Sequence, residues 1–299
     1  MSLPELPPEL KRKFDLLKSN IRSLGSLAVA CSGGVDSTFL AVVAHNVLGE
    51  KALAVTGADA SVPERELEEA KAVCGKFGIR HVVCRLNPLQ EEGYRLNGPD
   101  RCYFCKRGLF MAVWRIALEN GIAHVAEGSN VDDLGDYRPG LRAVAELSVN
   151  SPLRDAGLAK ADIRLLARSL GLQTWDKPAS ACLASRLPYG EEITVGKLNR
   201  IERAEQFLID RGFTQRRVRV HGGIARIEVP REDIARLAEE GTRSAVCQEF
   251  RRLGFTFVTL DLLGYRTGSM NESLVRQGGN PALETNMEEA AHAHPAGRN

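Results

Sequence analysis

Across its first two thirds the chain alternates short β-rich runs with stretches of helical pattern. "SLAVAC" precedes residues 37–48, "KALAVT" precedes 63–77, "HVVCRL" precedes 105–120, and "IAHVAEG" runs into a polar loop. Strands that alternate with helices in this way point to parallel pairing, with the helices covering the sheet. The expected fold class is therefore α/β, a parallel sheet with helices on both faces. Ligands in that architecture sit beyond the carboxyl ends of the strands.

The pattern changes near "DKPASACLASRLPYGEEIT". An amphipathic helix is expected over 195–211, with Leu198, Ile201, Ala204, Phe207 and Leu208 on one face. Two strands follow, "RRVRVH" and "IARIEVP", joined at Gly222 and Gly223 as a hairpin. Helical stretches at 231–239 and 244–253 lead to a last strand, "TFVTLDL". This reads as a second, smaller α/β domain. The expected organisation is 1–178, then 179–268, then a polar, aperiodic tail over 269–299 read as disordered. A chain of 299 residues is long enough for two cores.

Composition narrows the partners. Forty basic against 38 acidic residues leave a formal charge of +2, which gives a nucleic-acid partner no support. No apolar run approaches the roughly 20 residues that span a bilayer, and "MSLPELPPELKRKFDLLKSN" lacks the apolar centre of a signal peptide, so a cytoplasmic protein without a membrane partner is expected. Seven cysteines in a reducing compartment are read as core residues, metal ligands or reactive thiols rather than as disulfides.

The first strand breaks into Ser32, Gly33, Gly34, Val35, Asp36, Ser37 and Thr38 before an apolar helix. Glycines let backbone N–H groups approach an anion, and a helix start adds unpaired donors and a positive dipole end. The guest expected is phosphate. Neither a Walker A loop, which needs a lysine at fixed spacing, nor a G-x-G-x-x-G fingerprint is present. The hexapeptide S-G-G-V-D-S resembles instead the PP-loop of the ATP pyrophosphatases, whose adenine nucleotide alpha hydrolase-like domain cleaves ATP between its α and β phosphates. That resemblance implies ATP on Ser32, Gly33, Gly34, Val35, Asp36, Ser37 and Thr38, and Mg2+ on Asp36. "AVTGADAS" would supply the strand end that faces adenine.

The cysteines discriminate among such enzymes. "GPDRCYFCKRGLF" sets Cys102 and Cys105 in a C-x-x-C pair at a helix start, and "KPASACLASRLPYG" brings Cys182 into a turn beside Ser185 and Arg186. Three thiolates suit a 4Fe-4S cluster with one iron left open. Cys31, Cys74, Cys84 and Cys247 lie on apolar faces and read as core. Trp114 and Trp175 read as packing residues.

The set S-G-G-V-D-S-T, C-Y-F-C-K, A-E-G-S-N with D-D and R-P-G, C-L-A-S-R-x-P-Y-G and G-Y-R-T-G-S-M-N-E resembles the LarE family over about residues 15–272. Those are ATP-dependent sulfur transferases of nickel-pincer cofactor synthesis. The resemblance implies that a carboxylate of pyridinium-3,5-biscarboxylic acid mononucleotide is adenylylated, with release of pyrophosphate, and that sulfur then displaces AMP. One branch of the family sacrifices a cysteine sulfur and the other uses three cysteines on a 4Fe-4S cluster. The sacrificial cysteine aligns just ahead of the S-R pair, where this chain has Ala181 beside Cys182. Together with Cys102 and Cys105, this favours the cluster branch. The resemblance further implies Cys182, Asp36 and Arg186 in catalysis, a substrate site of Glu127, Asp133, Ser185, Arg186, Glu205, Arg217 and Arg219, and a homo-oligomer.

On residues alone, Arg217 and Arg219 would read as the solvated face of a strand. Glu127 and Asp133 are candidates either for assisting Mg2+ or for orienting substrate, among the polar groups Ser129, Asn130, Asp132 and Arg138 of the same loop. Lys106 is a candidate for favouring thiolate or the release of AMP. Rival readings are a GMP- or NAD-synthetase-type amidating ligase, which leaves the three cysteines idle, a tRNA thiolase, which calls for a basic groove, and a nucleotide-binding module without catalysis.

Overall fold

The structure, a computed structural model, describes residues 6–135, 139–178 and 181–266. They fall into two compact units, one formed by residues up to 95 with 99–181, the other by 96–98 with the residues from 182 onward.

The first unit opens with helix α1 (Pro8–Leu24), whose buried Leu10, Phe14, Leu17 and Ile21 recur at helical spacing. Strand β1 (Leu27–Ala30) leads through the Ser-Gly-Gly turn into α2 (Val35–Leu48). Strand β2 (Ala52–Ala58), helix α3 (Glu64–Phe77) and strand β3 (His81–Arg85) follow. Next come the single turn α4 (Glu92–Arg95) and the long α5 (Arg101–Glu119). Strand β4 (Val125–Ala126) precedes α6 (Gly140–Glu146), α7 (Pro152–Asp155) and α8 (Lys160–Ser169).

The four strands pair in the order β3-β2-β1-β4, parallel throughout, as expected from the alternation of strands and helices. Successive residues of β1 feed opposite cores. Leu27 and Val29 pack with α1, α2 and α8, while Ala28 packs with Phe110, Val113, Ile116 and Ala117 of α5. From Val35 to Ala44 only Asp36 escapes full burial, so α2 is enclosed on all sides rather than amphipathic.

Several elements depart from the sequence reading. Helix α5 starts at Arg101 rather than 105, because the Asp100 carbonyl already accepts from Tyr103 and Phe104 N–H. The fourth strand has only two residues. Beyond it Glu127 N–H donates to the Asn150 carbonyl and the chain turns away into its polar loop. The helical pattern of α8 was passed over, although Ile163, Leu166 and Ala167 are spaced as a buried stripe.

In the second unit, α9 (Val195–Ile209) buries Leu198, Ile201, Ala204 and Leu208, while Phe207 is half-buried. Strands β5 (Arg217–His221) and β6 (Ile224–Glu228) form the expected hairpin, with Gly222 at φ +58°. The stretch read as one helix over 231–239 is a 3-10 turn followed by α10 (Ile234–Ala238). Helix α11 (Glu240–Arg252) then leads to β7 (Phe257–Leu260), which adds parallel to β6. Asn97, wholly buried at φ +56°, belongs here and donates through its side-chain amide to the Pro188 carbonyl at 2.7 Å. The expected disordered tail, along with Arg138, lies outside the described residues.

Candidate functional site

The strand order reverses between β1 and β4, which makes the carboxyl ends of these two strands the crevice of the first unit. Both carry the residues the sequence singles out. After β1, Gly33 takes φ +74°, a backbone that L side chains rarely adopt. Ser37 Oγ accepts from Ser32 N–H at 3.1 Å, stands 3.1 Å from Ser32 Oγ and donates to the Gly34 carbonyl at 3.3 Å. The turn is thus closed by its own hydroxyls. After β4, Gly128 passes so close that a Cβ there would lie 2.8 Å from Ser37 N. The two loops are therefore in contact at the start of α2.

Asp36 stands where they meet. Its Oδ2 accepts from Lys160 Nζ at 2.5 Å, while its Oδ1 is buried without a hydrogen-bond partner among the described residues. Burial lifts its carboxyl above the ordinary value, against the pull of Lys160, and the charge of Asp133 adds to the rise. A buried carboxylate oxygen left open beside a phosphate turn fits a hard cation such as Mg2+, which takes carboxylate and phosphate oxygens together. The backbone N–H of Lys160 donates to Asp132 at 2.8 Å, so one residue spans both loops.

Glu127 is held by Ser151 Oγ at 2.7 Å and Ser129 Oγ at 2.8 Å, with Lys106 Nζ 3.8 Å away. Asp133 accepts from Asn130 N–H at 2.9 Å. A further cation, Lys177, donates to the Gly33 carbonyl at 3.0 Å, to Glu69 at 2.6 Å and to Glu66. Lys160, Lys177, Ser151 and Glu66 were missed in the sequence, because a lone lysine, serine or glutamate carries no motif.

Cys102 and Cys105 sit half-buried in the first turn of α5, three residues apart and so on one helix face. Arg101 Nη2 donates to Cys102 Sγ at 3.9 Å. Cys31, Cys74 and Cys84 are buried as expected, whereas Cys247 is half-buried on the outer part of α11, a correction to its reading as core. The Cys74 thiol donates to Cys31, just before the phosphate turn; this pulls Cys31 down to about 7, against burial, and raises Cys74. Trp114 and Trp175 pack against the two cores. No group of three or more His, Cys, Asp or Glu side chains is gathered for a metal ion among the described residues.

The second unit holds Cys182, Ser185, Arg186, Glu205, Arg217 and Arg219. Arg186, 3% exposed, forks onto Glu205 at 2.7 and 2.9 Å, and its remaining nitrogen donates to the Cys182 carbonyl at 3.1 Å and Ser185 Oγ at 2.8 Å. Glu205 also accepts from Val218 N–H at 3.0 Å. Burial alone would raise the Glu205 carboxyl, but the Arg186 charge and hydrogen bonds outweigh it and hold it below the ordinary value. Arg217 and Arg219 are buried rather than solvated. Arg219 forks onto Glu228 at 3.0 Å twice and donates to the Ser185 carbonyl at 2.8 Å. Burial and the nearby Arg186 charge pull Arg217 down to about 10, which leaves it charged at neutral pH. Its guanidinium lies 5.1 Å from the Tyr265 ring centre.

A strand, a Ser-Gly-Gly turn and a helix start carrying an open carboxylate define a PP-loop domain of the ATP-pyrophosphatase class. The NAD synthase family model matches residues 9–99. An uncharacterized protein of Synechocystis is 43% identical over 89% of this chain and all of its own length. The pyridinium-3,5-bisthiocarboxylic acid mononucleotide synthase of Lactiplantibacillus plantarum is 36% identical over 89% of this chain and 96% of its own. The tRNA-specific 2-thiouridylase of Rickettsia felis is 28% identical over 52% of each chain. The chain belongs to the LarE family, that of the Lactiplantibacillus synthase.

Proposed function

We propose that this protein is an ATP-dependent sulfur transferase that adenylylates the carboxylates of pyridinium-3,5-biscarboxylic acid mononucleotide and converts them to thiocarboxylates for a nickel-pincer cofactor. The observation that carries the reading is the open, buried Asp36 oxygen at a glycine turn, in a chain of this family. Ser32, Ser37, Thr38 and the N–H groups of Gly33, Gly34 and Val35 take the β and γ phosphates, and Asp36 holds Mg2+. A Mg2+ ion held there would supply positive charge to the pyrophosphate leaving group.

The substrate carboxylate attacks the α phosphorus, the bond to the β-phosphate oxygen breaks, and an acyl adenylate and pyrophosphate result. Lys160 balances charge at Asp36, and Glu127 and Asp133 orient the acceptor. Sulfur then displaces AMP. In the second unit, Arg217 and Arg219 receive the substrate phosphate, while Arg186, fixed by Glu205, orients Ser185 and the Cys182 loop.

Cys102, Cys105 and Cys182 are the proposed ligands of a 4Fe-4S cluster. All three are half-buried, whereas Cys31, Cys74 and Cys84 are buried. A bound cluster would carry the sulfide for transfer. The alternative sulfur source, sacrifice of a cysteine, is less favoured because Cys182 stands about one position from the point where that cysteine aligns, with Ala181 beside it, and because the pair Cys102 and Cys105 would then be idle. The match to the tRNA thiolase spans half of that protein, which supports shared ATP chemistry rather than a tRNA substrate. The exposed Phe257, Leu262 and Leu263 support a homo-oligomer. No helix among the described residues is long and apolar enough to cross a membrane, and a cytoplasmic enzyme is proposed.

The test is anaerobic purification with iron and sulfide analysis, and intact mass after turnover with ATP and the dicarboxylate. Bound iron and an unchanged chain are expected. A chain lighter by one H2S would replace the cluster by sacrifice, and absence of any thiolated product would overturn the reading.

A further inference from the structure

Lys177 is more enclosed than Lys106 or Lys160, and it lies outside the C-L-A-S-R motif that follows it. Its side chain is 13% exposed and its ammonium reaches three acceptors, the Gly33 carbonyl at 3.0 Å, Glu69 at 2.6 Å and Glu66. Its own backbone is fixed in turn. Arg164 of α8 donates to the carbonyls of Trp175 and Lys177, each at 2.9 Å, and Lys177 N–H donates to Thr174 at 3.1 Å. Gly33 lies against the first turn of α3, since a Cβ on it would stand 3.0 Å from the Glu66 carbonyl oxygen.

A trans peptide is planar, and its C=O and the following N–H point in opposite directions. A cation that holds the Gly33 carbonyl toward α3 therefore turns Gly34 N–H the other way. Gly34 N–H finds no hydrogen-bond partner among the described residues. Gly34 is also the cap of α2, where the unpaired N–H groups of the helix start collect. The ammonium further stands between the turn and two carboxylates, whose negative charge would otherwise act on any anion bound there.

We propose that Lys177 is a positioning residue for the phosphate turn: by clamping the Gly33 carbonyl onto α3 it aims Gly34 N–H at the β and γ phosphates of ATP and screens them from Glu66 and Glu69. This rests on the reading of the turn as a PP-loop. It assigns Lys177 no contact with the nucleotide.

The test measures calorimetric binding, by the full-length protein with Mg2+, of an ATP analogue with a methylene bridge between its α and β phosphorus atoms, and of AMP. Lys177→Met should weaken the analogue about tenfold or more, the worth of a charge-assisted hydrogen bond, and leave AMP unchanged. A general loss of structure would weaken both. Lys177→Arg, which keeps the charge, should recover part of the loss. Equal affinity of Lys177→Met and the native protein for the analogue would overturn the inference.

Should Lys177→Met fail to fold, the double variant Glu66→Gln with Glu69→Gln carries the test. It keeps the clamp on Gly33 with two negative charges fewer, so the analogue should bind as tightly as to the native protein or more tightly. A tenfold loss there would overturn the inference. A native protein that binds no analogue at all would instead overturn the PP-loop reading beneath it.

Discussion

On the proposed reading the two units meet the same task, holding an anionic substrate, with opposite materials. The phosphate turn of the first unit is built from backbone N–H groups, two serine hydroxyls and a glycine at φ +74°, with charge supplied from the side by Lys160 and Lys177. The second unit gathers arginines in its interior and pairs Arg186 with Glu205 and Arg219 with the wholly buried Glu228. A backbone site tolerates little change in shape, whereas a charge-paired site tolerates little change in charge. A buried pair is costly to break because the survivor is left unpaired in a low dielectric.

The difference can be broken most sharply at Gly33. Gly33→Val places a branched side chain at a positive φ and against the Glu66 carbonyl, 3.0 Å from the new Cβ. ATP binding should fall to background by calorimetry while the melting of the second unit is unchanged. Asp36→Asn keeps the shape of the turn and removes the charge. Pyrophosphate formation should drop about 10²–10³-fold in kcat, and a rate within threefold of the native enzyme would remove Asp36 from the chemistry.

In the second unit the expected loss is one of stability. Glu205→Ala leaves the buried Arg186 unpaired and should cost about 3–5 kcal/mol in urea unfolding of that unit, with ATP binding retained. Arg219→Lys keeps the charge but loses the fork on Glu228. The KM for the dicarboxylate should rise about tenfold, the worth of one charged hydrogen bond, with the KM for ATP unchanged.

The smallest effect is a pH dependence. The folded Glu205 carboxyl lies below its ordinary 4.5, so its contribution to stability is present above that pH and is lost as pH falls through the lower folded value. Melting of the second unit followed from pH 6 to pH 3 should show that loss, and Glu205→Gln should flatten it.

The same contrast explains what could be read in advance. The phosphate turn was legible because backbone chemistry demands particular residues in sequence, Ser-Gly-Gly and then Asp-Ser-Thr, between a strand and a helix. The parallel sheet was legible for a similar reason, since the alternation of elements leaves few topologies. Arg217 and Arg219 were not, on residues alone, because their spacing is equally that of a solvated strand. Arg219 is paired by Glu228 of β6 and Arg217 lies in the field of Glu205 of α9, and residue spacing within β5 carries no trace of either. Lys160 and Lys177 were invisible because each acts through one long side chain reaching back across more than a hundred residues to the turn. The helical stripe of α8, by contrast, was present in the sequence as Ile163, Leu166 and Ala167 at helical spacing, and was fully legible.

On the proposed reading, ATP is cut between its α and β phosphorus atoms at the first unit's turn. Phosphorus NMR of the full-length protein with ATP, Mg2+ and pyridinium-3,5-biscarboxylic acid mononucleotide tests it most directly. AMP and pyrophosphate should accumulate together, and only when the dicarboxylate is present. ADP with orthophosphate would contradict it.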